Sequence, residues 1–255
     1  MSYLPGKFVW FEHMSSDIAK ARAFYDQLFN WNTEAMKMGG GQTYYMIHNG
    51  HDGIGGYRSA PAGAASHWVS YLSVPDVDAT FASAIKAGAK SQMPPTNFAD
   101  VGRGASITDP TGAAFSIWKN QGGDRADAAQ TPPGDWAWNE LWTPDERTAL
   151  AFYEKVFGYT HDRKSMGTQG TYYVLKMGGV PRGGLMRSAQ PRAPAMWLPY
   201  VEVEDCDASA NLAQELGAKI LSTASDIPGV GRFAILADPL GAALAIIRTT
   251  RDGAG

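Results

Sequence analysis

The sequence predicts an α+β fold built from four βαβββ units, with the helices on one face of the sheets. Two observations lead to this prediction: the chain is a tandem duplication, and each repeat shows the same order of strand and helix patterns twice over. Residues recur after 128 positions in the first half of each repeat and after 129 positions in the second half. The matches include Trp10/Trp138, Glu12/Glu140, Phe24/Phe152, Tyr44/Tyr172, Gly55/Gly183, Trp68/Trp197, Tyr71/Tyr200, Gly88/Gly217, Arg103/Arg232 and Asp109/Asp238.

The two repeats run from Phe8 to Lys119 and from Trp136 to Arg248. The segment between them, NQGGDRADAAQTPP, is polar and contains both Gly and Pro, which is typical of an exposed linker. We therefore predict a first module at 1–119, a linker at 120–133 and a second module at 134–255.

Each repeat begins with a short strand, Phe8–Met14 or Trp136–Trp142, and continues into a helix. In the first repeat the apolar residues between Ile18 and Leu28 fall at helical spacing. In the second repeat Thr143 is predicted to cap the helix, a proline follows it, and Glu146 supplies the acid of a capping box.

The remainder of each repeat predicts strands around a second helix. The segments TYYMIH and TYYVLKM are rich in β-formers, and the glycine runs Gly39–Gly41 and Gly178-Gly179 beside them are typical of hairpin turns. The second helix is predicted to begin at Asp76 or Asp205 and to end at a glycine. Two last strands flank Asp-Pro-x-Gly sequences, which favour tight turns.

Composition excludes several classes of protein. The 255 residues carry a net charge of -3, no basic run marks a nucleic-acid surface, and no apolar stretch is long enough for a membrane span. The N-terminus lacks the pattern of a secretory signal, so we expect a cytoplasmic protein. The one cysteine, Cys206, forms no intrachain disulfide and is interpreted as a core residue.

These patterns resemble a known family. The paired segments WFEHMSSDIAKARAFYDQLFNW and WNELWTPDERTALAFYEKVFGY, VPDVDA and VEDCDA, and DPTGA and DPLGA are similar to the vicinal oxygen chelate superfamily, which includes glyoxalase I, bleomycin-resistance proteins and extradiol dioxygenases. The resemblance implies two cup-shaped mixed sheets with the helices outside, and in many members a metal held inside a cup. Because this fold hosts many functions, the site itself has to decide between them.

The metal-ligand positions that the resemblance implies carry no suitable donor. Indole, alkyl and hydroxymethyl groups are poor substitutes for the imidazole or carboxylate ligands of zinc, nickel or iron. We therefore predict no family metal in either module. The six positions are Trp10, Trp138, Val69, Leu198, Ser116 and Ala245.

The sequence leaves open the possibility of a divalent metal at a shifted position. Alternate residues of a strand share one face, so side chains two positions from the implied ligands also point into the cups. Among these, Glu12, His67, Glu140 and Glu202 could in principle bind a metal. The residues expected to face a cup with Trp10 and Trp138 are Glu12, His67, Tyr71, Glu140, Tyr200 and Glu202.

Glu12 and Glu140 have two further interpretations. Each could be a structural carboxylate that accepts a hydrogen bond from a matching tyrosine, Tyr71 or Tyr200. Each could instead be a general base, since a carboxylate in an aromatic cup is desolvated.

The eight tryptophans divide by predicted strand face. Trp68 and Trp197 should face the helices as core. The others on strands either line a pocket or fill the cups as core; those with cup-facing parity are Trp10, Trp118, Trp136, Trp138 and Trp142. Arg103 and Arg232 either anchor an anionic group of a ligand or play an exposed structural role.

The sequence therefore predicts a metal-independent protein that binds a small, largely apolar or aromatic molecule in one or both cups. It is either a binder or an enzyme with Glu12 or Glu140 as base, and Trp10, Tyr71, Trp138, Tyr200, Arg103 and Arg232 are the expected ligand contacts. The alternatives are a lyase or dioxygenase with a relocated metal, and an interaction protein with solid cups. The sequence is compatible with a monomer or a homodimer.

Overall fold

The structure is a computed structural model that describes residues 2–38, 43–190 and 193–250. Sixteen strands and four α-helices follow in the predicted order along these residues. The first repeat contains β1 Phe8–Ser15, α1 Ile18–Phe29, β2 Asn32–Lys37, β3 Thr43–Asn49, β4 Asp52–Ser59, β5 His67–Ser73, α2 Val77–Lys86, β6 Lys90–Phe98, β7 Gly102–Thr108 and β8 Ala114–Asn120. The second contains β9 Trp136–Thr143, α3 Glu146–Phe157, β10 Thr160–Ser165, β11 Thr171–Met177, β12 Val180–Arg187, β13 Met196–Glu202, α4 Cys206–Glu215, β14 Lys219–Ile227, β15 Gly231–Ala237 and β16 Ala243–Thr249.

The strands form two eight-stranded mixed sheets, one from each repeat. Their strand orders are β2-β3-β4-β1-β5-β8-β7-β6 and β10-β11-β12-β9-β13-β16-β15-β14, so the two sheets have the same topology. Within each βαβββ unit the first strand pairs in parallel with the last, as in β1 with β4 and β5 with β8, and the hairpins are antiparallel. The predicted α+β fold of four βαβββ units is confirmed.

The helix beginnings follow from aspartate caps. In α1 the side chain of Asp17 accepts a hydrogen bond from the Lys20 amide, and in α3 Asp145 accepts one from the Thr148 amide. The prediction that Thr143 caps α3 is wrong: Thr143 ends β9, and its hydroxyl instead accepts from the Asp145 amide at 3.2 Å. A carboxylate at Asp145 is the better acceptor, and it is the residue whose backbone leads directly into the helix.

The second helices and one glycine turn are confirmed. Asp76 and Asp205 cap α2 and α4, and the glycines that end them, Gly88 and Gly217, have positive φ angles of 99° and 95°. Gly178-Gly179 forms the turn between β11 and β12, whereas the predicted turn at Gly39–Gly41 lies outside the described residues. None of the described helices has the length and apolar character needed to cross a membrane.

The chain divides into two compact units that do not coincide with the repeats. Unit 1 contains Met1–Trp10, Val69–Asp127 and Trp138–Leu198, and in it α2 packs against α3. Unit 2 contains Phe11–Trp68, Ala128–Ala137 and Pro199–Gly255, and in it α1 packs against α4. The boundaries predicted from the repeats, at 1–119, 120–133 and 134–255, stay a prediction.

Candidate functional site

The six implied metal positions have no donor set that fits a metal. Ser116 is buried and its hydroxyl lies 2.8 Å from that of Ser106, while Leu198 and Ala245 are buried apolar residues. Across the described residues, His, Cys, Asp and Glu side chains do not gather into any group of three or more that could hold a metal. His67, one of the candidates for a shifted site, is exposed and its Nδ1 lies 2.9 Å from the Ala65 carbonyl.

The cup face of β5, β7 and β8, in unit 1, is aromatic and keeps hydroxyl groups. Tyr71 and Trp118 are half-buried and meet edge to face at 6.1 Å between ring centroids. Phe98 lies 5.5 Å from the Trp118 ring on its other side. Gly104 is the cross-strand partner of Trp118, and a Cβ atom there would lie 2.7 Å from the indole, so the glycine makes room for this ring.

The cup face of β9, β11 and β12, also in unit 1, holds two indoles and a carboxylate. Trp138 Nε1 donates to the Tyr172 hydroxyl at 2.8 Å, and a side chain at Gly184 would collide with that hydroxyl. Trp142 Nε1 donates to Glu140 Oε1 at 2.5 Å. Glu140 is buried, with 6% of its surface exposed, whereas Trp138, Trp142 and Tyr172 are half-buried.

The matching face of β1, β3 and β4, in unit 2, differs in charge. Glu12 is 4% exposed, and its Oε2 lies 3.4 Å from a guanidinium nitrogen of Arg58. In the second repeat the position of Arg58 is occupied by Met186. The two candidate bases therefore differ in these contacts: Glu12 lies beside the Arg58 guanidinium, and Glu140 accepts a hydrogen bond from the Trp142 indole. The predicted hydrogen bonds with Tyr71 and Tyr200 stay a prediction.

The face of β13, β15 and β16, in unit 2, is closed by apolar side chains. Tyr200 is only 4% exposed and lies 6.4 Å from the Phe233 ring. Apart from this tyrosine, the face has apolar residues where the β5, β7 and β8 face has two serines and a tryptophan. Phe233, Ile235, Ala245 and Ile247 stand where the first repeat has Gly104, Ser106, Ser116 and Trp118.

Glu202 belongs to the end of this face and has structural contacts. It is 1% exposed, and its Oε1 accepts from the amide and the hydroxyl of Thr249 at 3.1 and 3.0 Å. A nitrogen of Arg248 lies 3.4 Å away. These bonds tie the end of β13 to the end of β16.

Arg103 and Arg232 are held by aspartates of the second helices. Arg103 donates twice to Asp78, at 2.7 Å for both bonds, and also to Asn97. Arg232 donates to Asp207 at 2.6 and 2.8 Å and to Asp226 at 3.1 Å. Such bidentate pairs favour the structural interpretation, because most guanidinium donors are already engaged. Their role as ligand anchors stays a prediction.

The tryptophans separate by exposure. Trp68 and Trp197 are buried at 6% and 3%, each donating its indole N–H to a helix tyrosine, Tyr25 or Tyr153, which confirms their prediction as core. Trp136 was predicted to face a cup but packs with Phe11, Trp31 and Trp68, and its N–H donates to a backbone carbonyl.

Relatives of known family share nearly the whole chain. A protein of Mycobacterium tuberculosis named "Putative glyoxylase CFP32" is 36% identical over 251 residues, which is 96% of each chain. This chain belongs to the glyoxalase/bleomycin resistance protein/dioxygenase superfamily. The profile of that superfamily matches residues 7–117. A protein of Streptomyces peucetius named "Anthracycline biosynthesis protein DnrV" is 29% identical over 268 residues, with 98% of this chain and 96% of that protein aligned.

Solved structures of the superfamily share the fold. The Mn(II)-bound glyoxalase from Novosphingobium aromaticivorans matches 96% of this chain and 82% of its own, with a TM-score of 0.68 at 17% identity. The 2,2',3-trihydroxybiphenyl 1,2-dioxygenase from Sphingomonas wittichii strain RW1 matches 97% and 91%, with a TM-score of 0.65 at 14% identity.

The Asp-Pro turns of the superfamily pattern each place a buried carboxylate under a helix. In unit 1, Asp109 Oδ1 accepts from the turn amides that follow it, and Oδ2 accepts from the Tyr153 hydroxyl at 2.9 Å. In unit 2, Asp238 binds its own turn in the same way, and Oδ2 accepts from Tyr25 at 3.0 Å. Burial raises the pKa of both tyrosines well above their usual range, so both stay neutral donors.

Unit 2 adds a histidine to this arrangement. His13 Nε2 lies 2.8 Å from Asp238 Oδ2, and both side chains are fully buried. Burial raises the pKa of Asp238, but the hydrogen bond and charge of His13, together with the amides of Ala242 and Leu240, hold it below its usual range. The equivalent position in unit 1 is Leu141, which is buried and apolar.

Sequence reasoning missed this buried group. The recurrence of aspartate at 109 and 238 marked a turn, but the tyrosine and histidine partners lie far away in the chain. The repeated Phe-Tyr of the first helices was the available signal, since a tyrosine kept beside an aromatic core position needs a partner for its hydroxyl.

Proposed function

We propose that this chain binds a small, largely apolar or aromatic molecule on the cup faces of unit 1, without the metal found in the glyoxalase that shares its fold. One observation carries the proposal. Trp118, Trp138 and Trp142 lie on these faces and remain half-buried, as does Trp10 near the start of β1, although large aromatic residues gain most from full burial. Accessible aromatic faces with a few polar groups are typical of small-molecule sites.

The β5, β7 and β8 face is the better defined of the two. The hydroxyls of Tyr71, Ser106 and Ser116 lie on the same strand face as Trp118 and could orient a ligand that stacks on the indole. Its counterpart in unit 2 has Ile235 and Ala245 in place of the two serines and Ile247 in place of the tryptophan, and Tyr200 is buried there. We expect little binding there.

The donor set supports the metal-independent part of this proposal. Lewis-acid chemistry needs nitrogen, sulfur or carboxylate ligands, and the six family positions provide none. If the protein is an enzyme, Glu140 or Glu12 would act as the base. Glu140→Gln and Glu12→Gln would then lower kcat, and unchanged turnover in both would refute that role.

The test is a fluorescence titration with planar aromatic probes. An anthracycline is a suitable first probe because two relatives are named for anthracycline biosynthesis, and 2-naphthol is a simpler neutral one. Trp118→Leu should weaken binding of a ligand on the first face, and Trp138→Leu on the second. Trp68→Phe, on the helix face, is the matched control and should bind normally. Binding that survives both leucine changes would contradict the proposal.

A further inference from the structure

The indole of Trp118 lies flat on the neighbouring strand β7. Its six-membered ring spans two glycines: a Cβ atom at Gly102 would lie 2.6 Å from Cζ2 of the indole, and one at Gly104 would lie 2.7 Å from Cε3. Tyr71 on β5 and Phe98 on β6 flank the ring from the two sides of this pair of strands. Because β7 covers one face of the ring and Trp118 is half-buried, the accessible surface of the indole is its opposite face.

A pair of serine hydroxyls lies beside this ring on the same face of the sheet. Ser106 and Ser116 are cross-strand partners two residues away from Gly104 and Trp118, and their Oγ atoms are 2.8 Å apart. Ser116 is 1% exposed, and among the described residues its hydroxyl has Ser106 as its one hydrogen-bond partner. A buried hydroxyl hydrogen without an acceptor is costly, so Ser116 donates to Ser106.

The direction of this hydrogen bond determines what the two serines offer to a ligand. Ser106 accepts from Ser116, so its own hydroxyl hydrogen is available to another acceptor, and Ser106 is half-buried rather than fully buried. The pair therefore presents a neutral hydrogen-bond donor next to the accessible face of Trp118. The other residues of β7 and β8 on this face are uncharged: Gly102, Gly104, Thr108, Ala114 and Asn120. A neutral acceptor suits such a surface better than an anion, which would lose its hydration without gaining a cation.

We propose that this face binds a planar aromatic carbonyl compound, an aryl ketone or a quinone, whose rings stack on Trp118 and whose carbonyl oxygen accepts from Ser106. The inference rests on the proposed function and names the ligand class for one of its two faces. A carbonyl group conjugated with a ring lies in the ring plane, so a stacked ligand can direct its oxygen along β7 towards Ser106. The equivalent face of unit 2 has Ile235 and Ile247 at the positions of Ser106 and Trp118, so it offers neither the donor nor the indole.

The experiment compares two probes of nearly equal shape by equilibrium dialysis: 2-acetylnaphthalene and 2-isopropenylnaphthalene, in which a CH2 group replaces the carbonyl oxygen. Ser106→Ala should weaken binding of the ketone about five- to tenfold, the effect of one lost hydrogen bond, and change binding of the alkene by less than about twofold. Ser91→Ala is the matched control, because Ser91 is exposed and its strand partner Ile107 is buried on the opposite face of the sheet. It should leave both affinities unchanged.

A second variant separates the hydrogen bond from any general disturbance of the face. Ser106→Thr keeps a hydroxyl group, so it should retain the selectivity for the ketone that Ser106→Ala loses. If the ratio of the two dissociation constants is the same in wild-type protein and in Ser106→Ala, the carbonyl inference is overturned. The proposed function stands in that case, provided that both probes bind and Trp118→Leu weakens them. If neither probe binds the wild-type protein, the proposed function of this face is refuted together with the inference.

Discussion

Residues at equivalent positions of the two repeats have different surroundings in units 1 and 2. Unit 1 holds the half-buried indoles of Trp118, Trp138 and Trp142, and its buried turn carboxylate, Asp109, accepts a hydrogen bond from a neutral tyrosine hydroxyl. Unit 2 has closed one cup face with apolar side chains and buries a histidine against Asp238. The two units thus differ in two features: unit 1 has half-buried indoles on its strands, and unit 2 pairs its turn aspartate with a buried histidine.

The largest expected effect concerns the two buried aspartates. Asp238→Asn removes the charge that faces both His13 and Tyr25, and breaking a buried pair in this way costs about 3 to 5 kcal/mol. Asp109→Asn keeps an acceptor for the turn and a neutral partner for Tyr153, so we expect a loss of about 1 kcal/mol. Urea unfolding of both variants measures the difference. Equal losses of unfolding free energy in the two variants would show that the His13 contact does not make Asp238 more important for stability than Asp109.

The pH dependence of the free energy of unfolding tests the contribution of the His13–Asp238 contact in another way. Because the folded-state pKa of Asp238 lies below its unfolded value of about 3.9, this group stabilises the fold above about pH 4. The stabilisation is lost as the pH falls through the folded-state pKa. His13→Leu copies Leu141 of unit 1 and removes the contact that lowers this pKa. The free energy of unfolding should therefore fall less steeply on acidification in the variant than in the wild type; parallel curves would contradict this.

For ligand binding to unit 1 we expect a smaller change in free energy than for the unfolding of Asp238→Asn. Trp118→Ile introduces the residue that unit 2 has at the equivalent position, and we expect about tenfold weaker binding of 2-naphthol, or about 1.4 kcal/mol. The double variant with Gly104→Phe also carries the residue that unit 2 has at that position. It should show no remaining binding to the β5, β7 and β8 face. Ile235→Ser in unit 2 is a control that should leave the affinity of unit 1 unchanged.

The smallest effect is expected at the surface arginines. Arg103→Ala and Arg232→Ala break exposed pairs with Asp78 and Asp207. If these residues are structural, the affinity for neutral and anionic aromatic probes should change by less than about twofold. A loss specific to the anionic probe in Arg103→Ala would instead support the ligand-anchor interpretation.

The repeat pattern predicted the fold well because each local signal agreed with the others. The aspartates at 76 and 205, the glycines at 88 and 217 and the strand patterns each fix their own segment. The cap of α3 was misassigned because Thr143, Pro144 and Asp145 all carry helix-start features, and only the carboxylate contact decides among them.

The site was harder to predict because it depends on partners far apart in the chain. The alternation of strand faces singled out Trp118, Trp138 and Glu140. It could not show that Arg58 lies beside Glu12, a position that Met186 occupies in the second repeat. The same alternation wrongly predicted that Trp136, the first residue of β9, faces a cup. The His13–Asp238 contact joins residues 225 positions apart, and no sequence spacing could indicate it.

We propose that accessible indoles of unit 1 bind an aromatic ligand without a metal. The most direct measurement is a calorimetric titration of 2-naphthol into chelator-treated protein whose metal content has been checked by mass spectrometry. We predict saturable binding by the metal-free protein that is weakened by Trp118→Ile and unaffected by added manganese, iron or zinc. Binding that appears only after a metal is restored, or that is unchanged in Trp118→Ile and Trp138→Leu, would show that these indoles do not form a metal-independent site.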